Sequence, residues 1–543
     1  MCLLAHAKRA CAVLPEPDPK TVRRFTRFVK SQVRARVRPI PGSYPLDYDR
    51  NTMFPTRETL MYWLYDSNMR EVDRQTYIRE YDDIIGKLKR SRRDKLNPRD
   101  VRFWTTATFG KDEFYPCDQD PTAETDGLQF KYSRNIQPRT KKANMILGPI
   151  MHAIEKYLFH DSSDYAKPNP LNPEFVKCFS TQDKAKYLAQ VFSGDSSVYG
   201  TDASAFECQM RNYVLLNSEL PMLRAHLSTS EFENADYVIT WLYHNIFSVA
   251  SPTGQRGRLS NCDLPILDMR CSGDMMTSLG NGWNNLMFLK FCFSRYSNTH
   301  PSNIRVVVEG DDGLVAASAE LEGIKDTFEK LGLSYKFDRY TNVQEAKFCQ
   351  LTFNAGGELF REALGPILRS GWLPMKYRFA NRNTRLALLR LRALSYIHQY
   401  PNAPIICVWA KRVLDLTAVA ETRLKRLVQS ESNMYLREQM DLTLHSNLPL
   451  DAGVVHEQMR LPYMHNYGVS IADQVGLERQ LAAMCLGPFE SPILERNCPR
   501  IWSFYALNYV VPDWRYNVPL QFSRPGRDLS RLVPSWPSEV WNV

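Results

Sequence analysis

No run of consecutive apolar residues in this chain approaches the roughly 20 that would span a bilayer. The start, Met1-Cys2-Leu3-Leu4-Ala5-His6-Ala7-Lys8-Arg9, holds too short an apolar run for a signal peptide. Work at a membrane would therefore need a partner or a surface patch. The twelve cysteines are scattered, with no CxxC pair and no Cys/His spacing suited to zinc. They read as reduced, mostly buried thiols of an intracellular protein. HExxH does not occur, so histidine-based metalloenzyme chemistry has nothing to stand on. Internal repeats and long low-complexity segments are also missing. Global disorder is excluded by 44% hydrophobic and 12% aromatic residues, and 543 residues can bury a large core shared among several subdomains.

The net charge is +10, which points to a polyanionic partner. Basic residues cluster. Lys20, Arg23, Arg24, Arg27, Lys30, Arg34, Arg36 and Arg38 form a run with no acid between them, and Lys87, Lys89, Arg90, Arg92, Arg93 and Lys95 form a second. Each run reads either as a solvated helix face or as a polyanion footprint. The Pro-rich segment 39–45 reads as a linker behind the first run. Helices with polar faces are expected over about 55–97 and a clear helix over 144–159. Short apolar strands alternate with helical runs over about 196–370. Beyond 376 the chain turns mainly helical, with Arg385, Arg390 and Arg392 on the surface of a Leu/Ala-patterned helix. From about 511 it is rich in Pro and Trp and reads as an extended tail.

Val306-Val307-Val308-Glu309-Gly310-Asp311-Asp312-Gly313-Leu314-Val315 reads as two apolar strands joined by a turn that carries adjacent carboxylates. At about 4 Å and an effective dielectric of about 20, such a pair costs roughly 4 kcal/mol. A hard divalent cation would relieve it, although Gly and Asp are also ordinary turn residues. Upstream, a short strand ends at Asp202, and Glu207 follows five positions later. Asp202 there is either one side of a cleft or a helix N-cap. Between these sites, Ser272-Gly273 gives a flexible entry to a helix on which Thr277 and Asn281 share a face. They are placed to hydrogen-bond a sugar hydroxyl or simply to sit on a polar surface. Farther upstream, Lys131, Arg134, Arg139 and Lys142 alternate along an extended, Pro-interrupted segment suited to gripping phosphates. Downstream stand Lys336 and the segment Phe348-Cys349-Gln350.

In this order the motifs resemble those of viral RNA-dependent RNA polymerases, and most nearly the tombusvirus-like group of positive-strand RNA viruses. The segment from Arg134 to Arg139 resembles that group's NTP-gripping finger motif. Asp202-Ala203-Ser204 with Glu207 resembles the first palm motif. Ser272-Gly273-Asp274 with Thr277 and Asn281 resembles the second, Gly310-Asp311-Asp312 the third, and Phe348-Cys349-Gln350 the primer grip. The resemblance runs from about Phe109 to Gln350. Glu207 stands where the family usually has Asp. It keeps a carboxylate for a ribose hydroxyl but reaches one methylene farther. Reverse transcriptases place a bulky aromatic at that position, and Glu207, Thr277 and Asn281 instead offer partners to a 2′-OH.

The resemblance implies an α+β right-hand polymerase with fingers, an antiparallel-sheet palm and a helical thumb around a closed channel. The expected divisions are a basic extension over 1–98, fingers over 99–195 and palm over 196–375, with a fingers insertion at about 211–268. A thumb over 376–510 and a tail over 511–543 complete them. Asp202, Asp311 and Asp312 would hold two Mg2+ ions, with Mn2+ able to substitute, and Lys336 would donate a proton to pyrophosphate. Lys131, Arg134, Arg139 and Lys142 would hold the triphosphate; Glu207, Ser272, Gly273, Thr277 and Asn281 would receive the nucleotide and its ribose. The expected partners are RNA template, nascent RNA, NTPs and a separate membrane-bound viral replication protein, at membrane sites in the host cytoplasm. A noncatalytic RNA-binding scaffold and a reverse transcriptase are the competing readings.

Overall fold

A computed structural model describes residues 14–67, 69–88, 96–107, 109–110, 135–195, 197–203, 205–248, 256–259, 262–265, 270–317, 323–346, 348–368, 381–431, 434–445, 447–486, 489 and 491–498. They fall into two compact units, one running to Gly357 and one starting at Glu358. The architecture is mixed α+β, with antiparallel sheets and helical regions consistent with a right-hand polymerase fold. Lys131, Arg134, the N-terminal 13 residues and the Pro/Trp-rich tail lie outside the described residues.

The first unit opens with α1 (Pro19–Arg36). Asp18 caps it by accepting the Thr21 N–H at 2.8 Å, and Pro19 fits the first turn, where no N–H is needed. Phe25 and Val29 are fully buried on its inner face. Beyond it, the segment read as a linker is pinned instead. Ile40 is fully buried and its N–H donates to the His226 carbonyl at 2.9 Å. Then come α2 (Lys141–Phe159) and α3 (Thr181–Val191).

The largest sheet has four strands, β1 (Val198–Ala203), β2 (Arg305–Glu309), β3 (Asp312–Ala316) and β4 (Tyr335–Tyr340), in the order β4-β1-β3-β2 with every neighbouring pair antiparallel. Between β1 and β2 run α4 (Leu220–His226) and α5 (Thr277–Tyr296); α6 (Ile324–Lys330) leads into β4. Val306, Val307 and Val308 make β2 a strand buried on both faces, as its β-branched run requires. Its outer edge is covered: the Val308 N–H donates to Glu174 O at 2.9 Å and the Val176 N–H to Val308 O at 3.3 Å.

Residues 279–294 of α5 are all buried, so this helix is a core element rather than an amphipathic one. Phe293 packs 6.4 Å from Tyr199 of β1 and 6.1 Å from Phe337 of β4, fixing the helix beneath the sheet. On its far side Phe25 lies 5.5 Å from Phe288 and 5.3 Å from Phe291, which docks α1 there. A buried ionic triad closes that contact. Glu174 accepts from Arg36 at 2.8 and 2.9 Å and pairs with Lys290 at 2.8 Å.

The second unit is helical, with α7 (Arg382–Gln399), α8 (Ile406–Leu416) and α9 (Ile471–Ala482) among its elements. Arg390 is not a free surface cation. It donates to Leu414 O at 2.8 Å and Thr417 O at 2.6 Å, satisfying carbonyls at the end of α8. Glu478 of α9 takes a two-pronged bond from Arg460 at 3.1 Å and the Ile405 N–H at 2.9 Å. Among the described residues, no helix of the chain is long and apolar enough to cross a membrane.

Candidate active site

The register of the four-stranded sheet places the acids. Thr201 faces Gly313 and Glu309 faces Asp312, so Asp202 and Asp312 occupy the next position along adjacent strands. Lys336 of β4 faces Asp202 from the other side. Asp202, Asp312 and Lys336 are exposed, while Thr201, Ala203, Gly313 and Tyr335 are buried, as strand alternation requires. Only Gly310 and Asp311 separate β2 from β3. Gly310 has φ +60°, which suits the first position of the primed turns that match strand twist.

A single side chain holds that turn. The Asn285 amide of α5 donates to the carbonyls of Gly310, Asp311 and Asp312 at 3.2, 2.9 and 3.2 Å. Its own carbonyl accepts from the Tyr335 hydroxyl at 3.1 Å. Glu309, at the end of β2, is ion-paired with Lys184 of α3 and also accepts from Cys349 Sγ at 3.5 Å. Asp312 is solvent-exposed, yet protein crowds its carboxyl. That desolvation, followed by the neighbouring charges of Asp311, Glu309 and Asp202, pushes it up to about 6.

The expected primer-grip residues form a turn beside this hairpin. Phe348 is buried, and Cys349 and Gln350 both have left-handed backbones, at φ +49° and +60°. Two consecutive non-glycine residues in that region store strain, which the surroundings must hold. Burial and the charges of Glu309 and Asp312 push the Cys349 thiol well above its usual range, so it acts as an S–H donor.

Thr277 and Asn281, expected to read the ribose, lie in the first turns of α5. Thr277 donates to Cys271 O at 3.3 Å. Asn281 is 5% exposed and its Oδ1 meets no hydrogen-bond partner among the described residues. A buried acceptor left without a donor is costly unless a ligand completes it. Glu207 is half-buried on the short helix Phe206–Gln209, and its backbone carbonyl accepts the Arg270 N–H at 3.1 Å.

The finger segment is built into this loop. The Gln137 N–H donates to Ser272 O at 2.6 Å, and a Cβ on Gly273 (φ +111°) would stand 3.3 Å from Pro138 N. Arg139, expected to grip a triphosphate, is instead buried. Its guanidinium bonds Asp274 at 2.5 and 3.2 Å and Trp104 O at 2.5 Å. Its charge is committed to the loop that carries Ser272 and Gly273. Lys142 keeps its place in the first turn of α2, with no acid in that turn and no charged partner among the described residues.

Beneath this loop lies a network absent from the sequence reading. Glu219 and Arg270, each 1% exposed, form an ion pair. Tyr243 and Asn284 also donate to Glu219, the latter at 2.9 Å. Glu219 and Tyr243 each sit in a π-helical turn, over Leu215–Glu219 and Tyr243–Phe247. Two carboxamides, Asn284 and Asn285, inside an otherwise apolar run were the available signal, because buried Asn needs partners. Nothing in the sequence pointed to Lys184.

Among the described residues, no group of three or more His, Cys, Asp or Glu side chains is close enough to hold a metal ion. Asp202 and Asp312 stand on adjacent strands, and Asp311 lies in the turn between β2 and β3. Their chemistry nevertheless fits a hard cation. The donors are carboxylate oxygens, and their mutual repulsion contributes to the raised Asp312. Residues 130–486, well over half of the chain, match the family described as viral RNA dependent RNA polymerase. No curated protein matches the chain.

Proposed function

This chain belongs to the viral RNA-dependent RNA polymerase family, and we propose that the exposed end of its four-stranded sheet is the nucleotidyl-transfer centre of a tombusvirus-like enzyme. The family carries out RNA-templated RNA synthesis by a Mg2+-dependent mechanism. The observation that carries the site assignment is the placement of Asp202 and Asp312 side by side on adjacent strands, with Asp311 in the anchored turn between β2 and β3. These three carboxylates would hold two Mg2+ ions. When bound, the ions supply positive charge to the primer 3′-oxygen and to the triphosphate.

The chain's own groups do the rest by position. Lys336, across from Asp202, donates a proton toward the departing pyrophosphate. Lys142, with Lys131 and Arg134, draws in the triphosphate. Arg139 acts one step back, holding Asp274 and with it the Ser272-Gly273 loop. The unpartnered Asn281 Oδ1 accepts from a ribose hydroxyl, with Thr277 and Glu207 on the same side of the nucleotide. The turn at Phe348-Cys349-Gln350, tied to Glu309 through Cys349, seats the primer end. Fingers, palm and thumb follow the divisions expected above. A separate membrane-bound viral protein recruits the enzyme to membrane sites in the host cytoplasm.

Asp311→Asn tests the centre. The variant should lose template-directed nucleotide incorporation in Mg2+ while keeping its melting temperature and RNA affinity. Normal primer extension by that variant rejects the carboxylate assignment.

A further inference from the structure

The outer face of α1 carries a feature that the catalytic sheet does not use. Lys20, Arg23, Arg24, Arg27, Lys30 and Arg34 are all exposed, and none has a carboxylate partner among the described residues. At 3.6 residues per turn the six side chains fall within an arc of about 120°, and they extend along roughly 21 Å of helix. No acid occurs between Asp18 and Asp47 to neutralise them. The opposite face is committed, since Phe25 and Val29 are fully buried, Phe25 against α5, and Arg36 is held by Glu174. The stripe is thus a row of charge, tempered at Lys20 by the neighbouring Asp18, on a helix that cannot turn over.

We propose that this face of α1 binds the phosphate backbone of an RNA strand, as a site separate from the catalytic sheet. Six cations over roughly 21 Å stand about 4 Å apart along the axis, of the same order as the roughly 3.4 Å of axis per phosphate along one strand of a duplex. Four of the six are Arg, whose planar fork pairs two N–H groups with one phosphate. A lipid surface fits less well. An interfacial helix inserts its apolar face, and here that face is core. The exposed face has no large apolar side chain between the cations. Binding would be independent of base sequence and would not rest on the carboxylate assignment.

The test uses the full chain with Arg23, Arg27, Lys30 and Arg34 all changed to Gln. Binding of a labelled single-stranded oligouridylate is followed by anisotropy across a salt series. The slope of log affinity against log salt should become shallower by about 3, at roughly 0.7 per lost phosphate contact, and affinity should fall at least tenfold at low salt. Extension of a short primed template should stay at the parent rate. An unchanged slope overturns the proposal. So does an unchanged slope accompanied by lost sedimentation with phosphatidylserine vesicles, which assigns the face to a membrane. If the quadruple variant loses its melting transition, the single changes carry the test, each with a slope change of about 0.7.

Discussion

Asn285 shows how one buried amide can govern the turn that carries two acids. It spans three consecutive carbonyls across Asp311 and Asp312 and is itself oriented by Tyr335. Asn285→Ala removes the donor and leaves those groups to relax. The stability loss should be about 1–3 kcal/mol. The larger effect should be catalytic, because a carboxylate displaced by about 1 Å can cost roughly 10²-fold in rate. Single-nucleotide incorporation should show a fall in kcat with little change in KM for the NTP; a parent-like kcat removes the positioning role. The carboxylates themselves stood out in the sequence as short acidic motifs at strand ends, and the register sets Asp202 and Asp312 on adjacent strands. Asn285 was only half legible. Its buried amide demanded a partner, but the identity of that partner depends on a turn that the chain reaches 25 residues later. The burial of Arg139 was not legible, because an Arg in a basic segment looks available. Asp274, 135 residues away, had already claimed it.

Among the elements, α5 is the one whose glycine matters most. A Cβ on Gly280 would collide with the Glu219 carboxylate and stand 2.7 Å from the Arg270 guanidinium. In an exposed helix, Gly→Ala stabilises by roughly 0.5–1 kcal/mol. Here the new methyl presses on a buried ion pair with no room to yield, so Gly280→Ala should destabilise by about 1–3 kcal/mol. Urea denaturation checks the sign, and a raised midpoint would contradict the close packing. Helices and strands around the motifs were readable from periodicity, as with α2 and the valine run of β2. The two π-helical turns were not. They add about one residue per turn without a composition signature, and each carries one partner of the buried Tyr243–Glu219 bond. The segment 39–45 was read as a linker on its prolines, but Ile40 between them is core.

Taken whole, the first unit depends on keeping several ionisable groups in one protonation state. His226 is fully buried at the end of α4, and burial lowers its pKa from 6.5 to about 4. Above pH 6.5 the ring is neutral whether the chain is folded or not, and contributes no pH dependence. Between 6.5 and about 4 only the unfolded chain takes up the proton, so stability falls as pH falls. The loss reaches about 3 kcal/mol below that window. His226→Leu should flatten the acid limb of a stability profile measured by denaturation between pH 7 and 4. An unaltered limb would place the acid sensitivity elsewhere. The motif order was enough to anticipate a mixed α+β polymerase, since the palm chemistry is strung along the chain in sequence. The way α1 is fastened to α5 through Phe25 and the triad of Arg36, Glu174 and Lys290 was not legible, because each contact joins distant segments.

The position of β1 in the sheet has a mechanical consequence. It is hydrogen-bonded along both edges, to β3 and β4, while Asp311 rides on a two-residue turn. Asp202 is thus held by two ladders, and Asp311 by its turn and the Asn285 amide. The distance between these two carboxylates is therefore set by the Gly310–Asp311 turn, and Asn285, which clasps it, is the side chain whose loss would move Asp311 relative to Asp202.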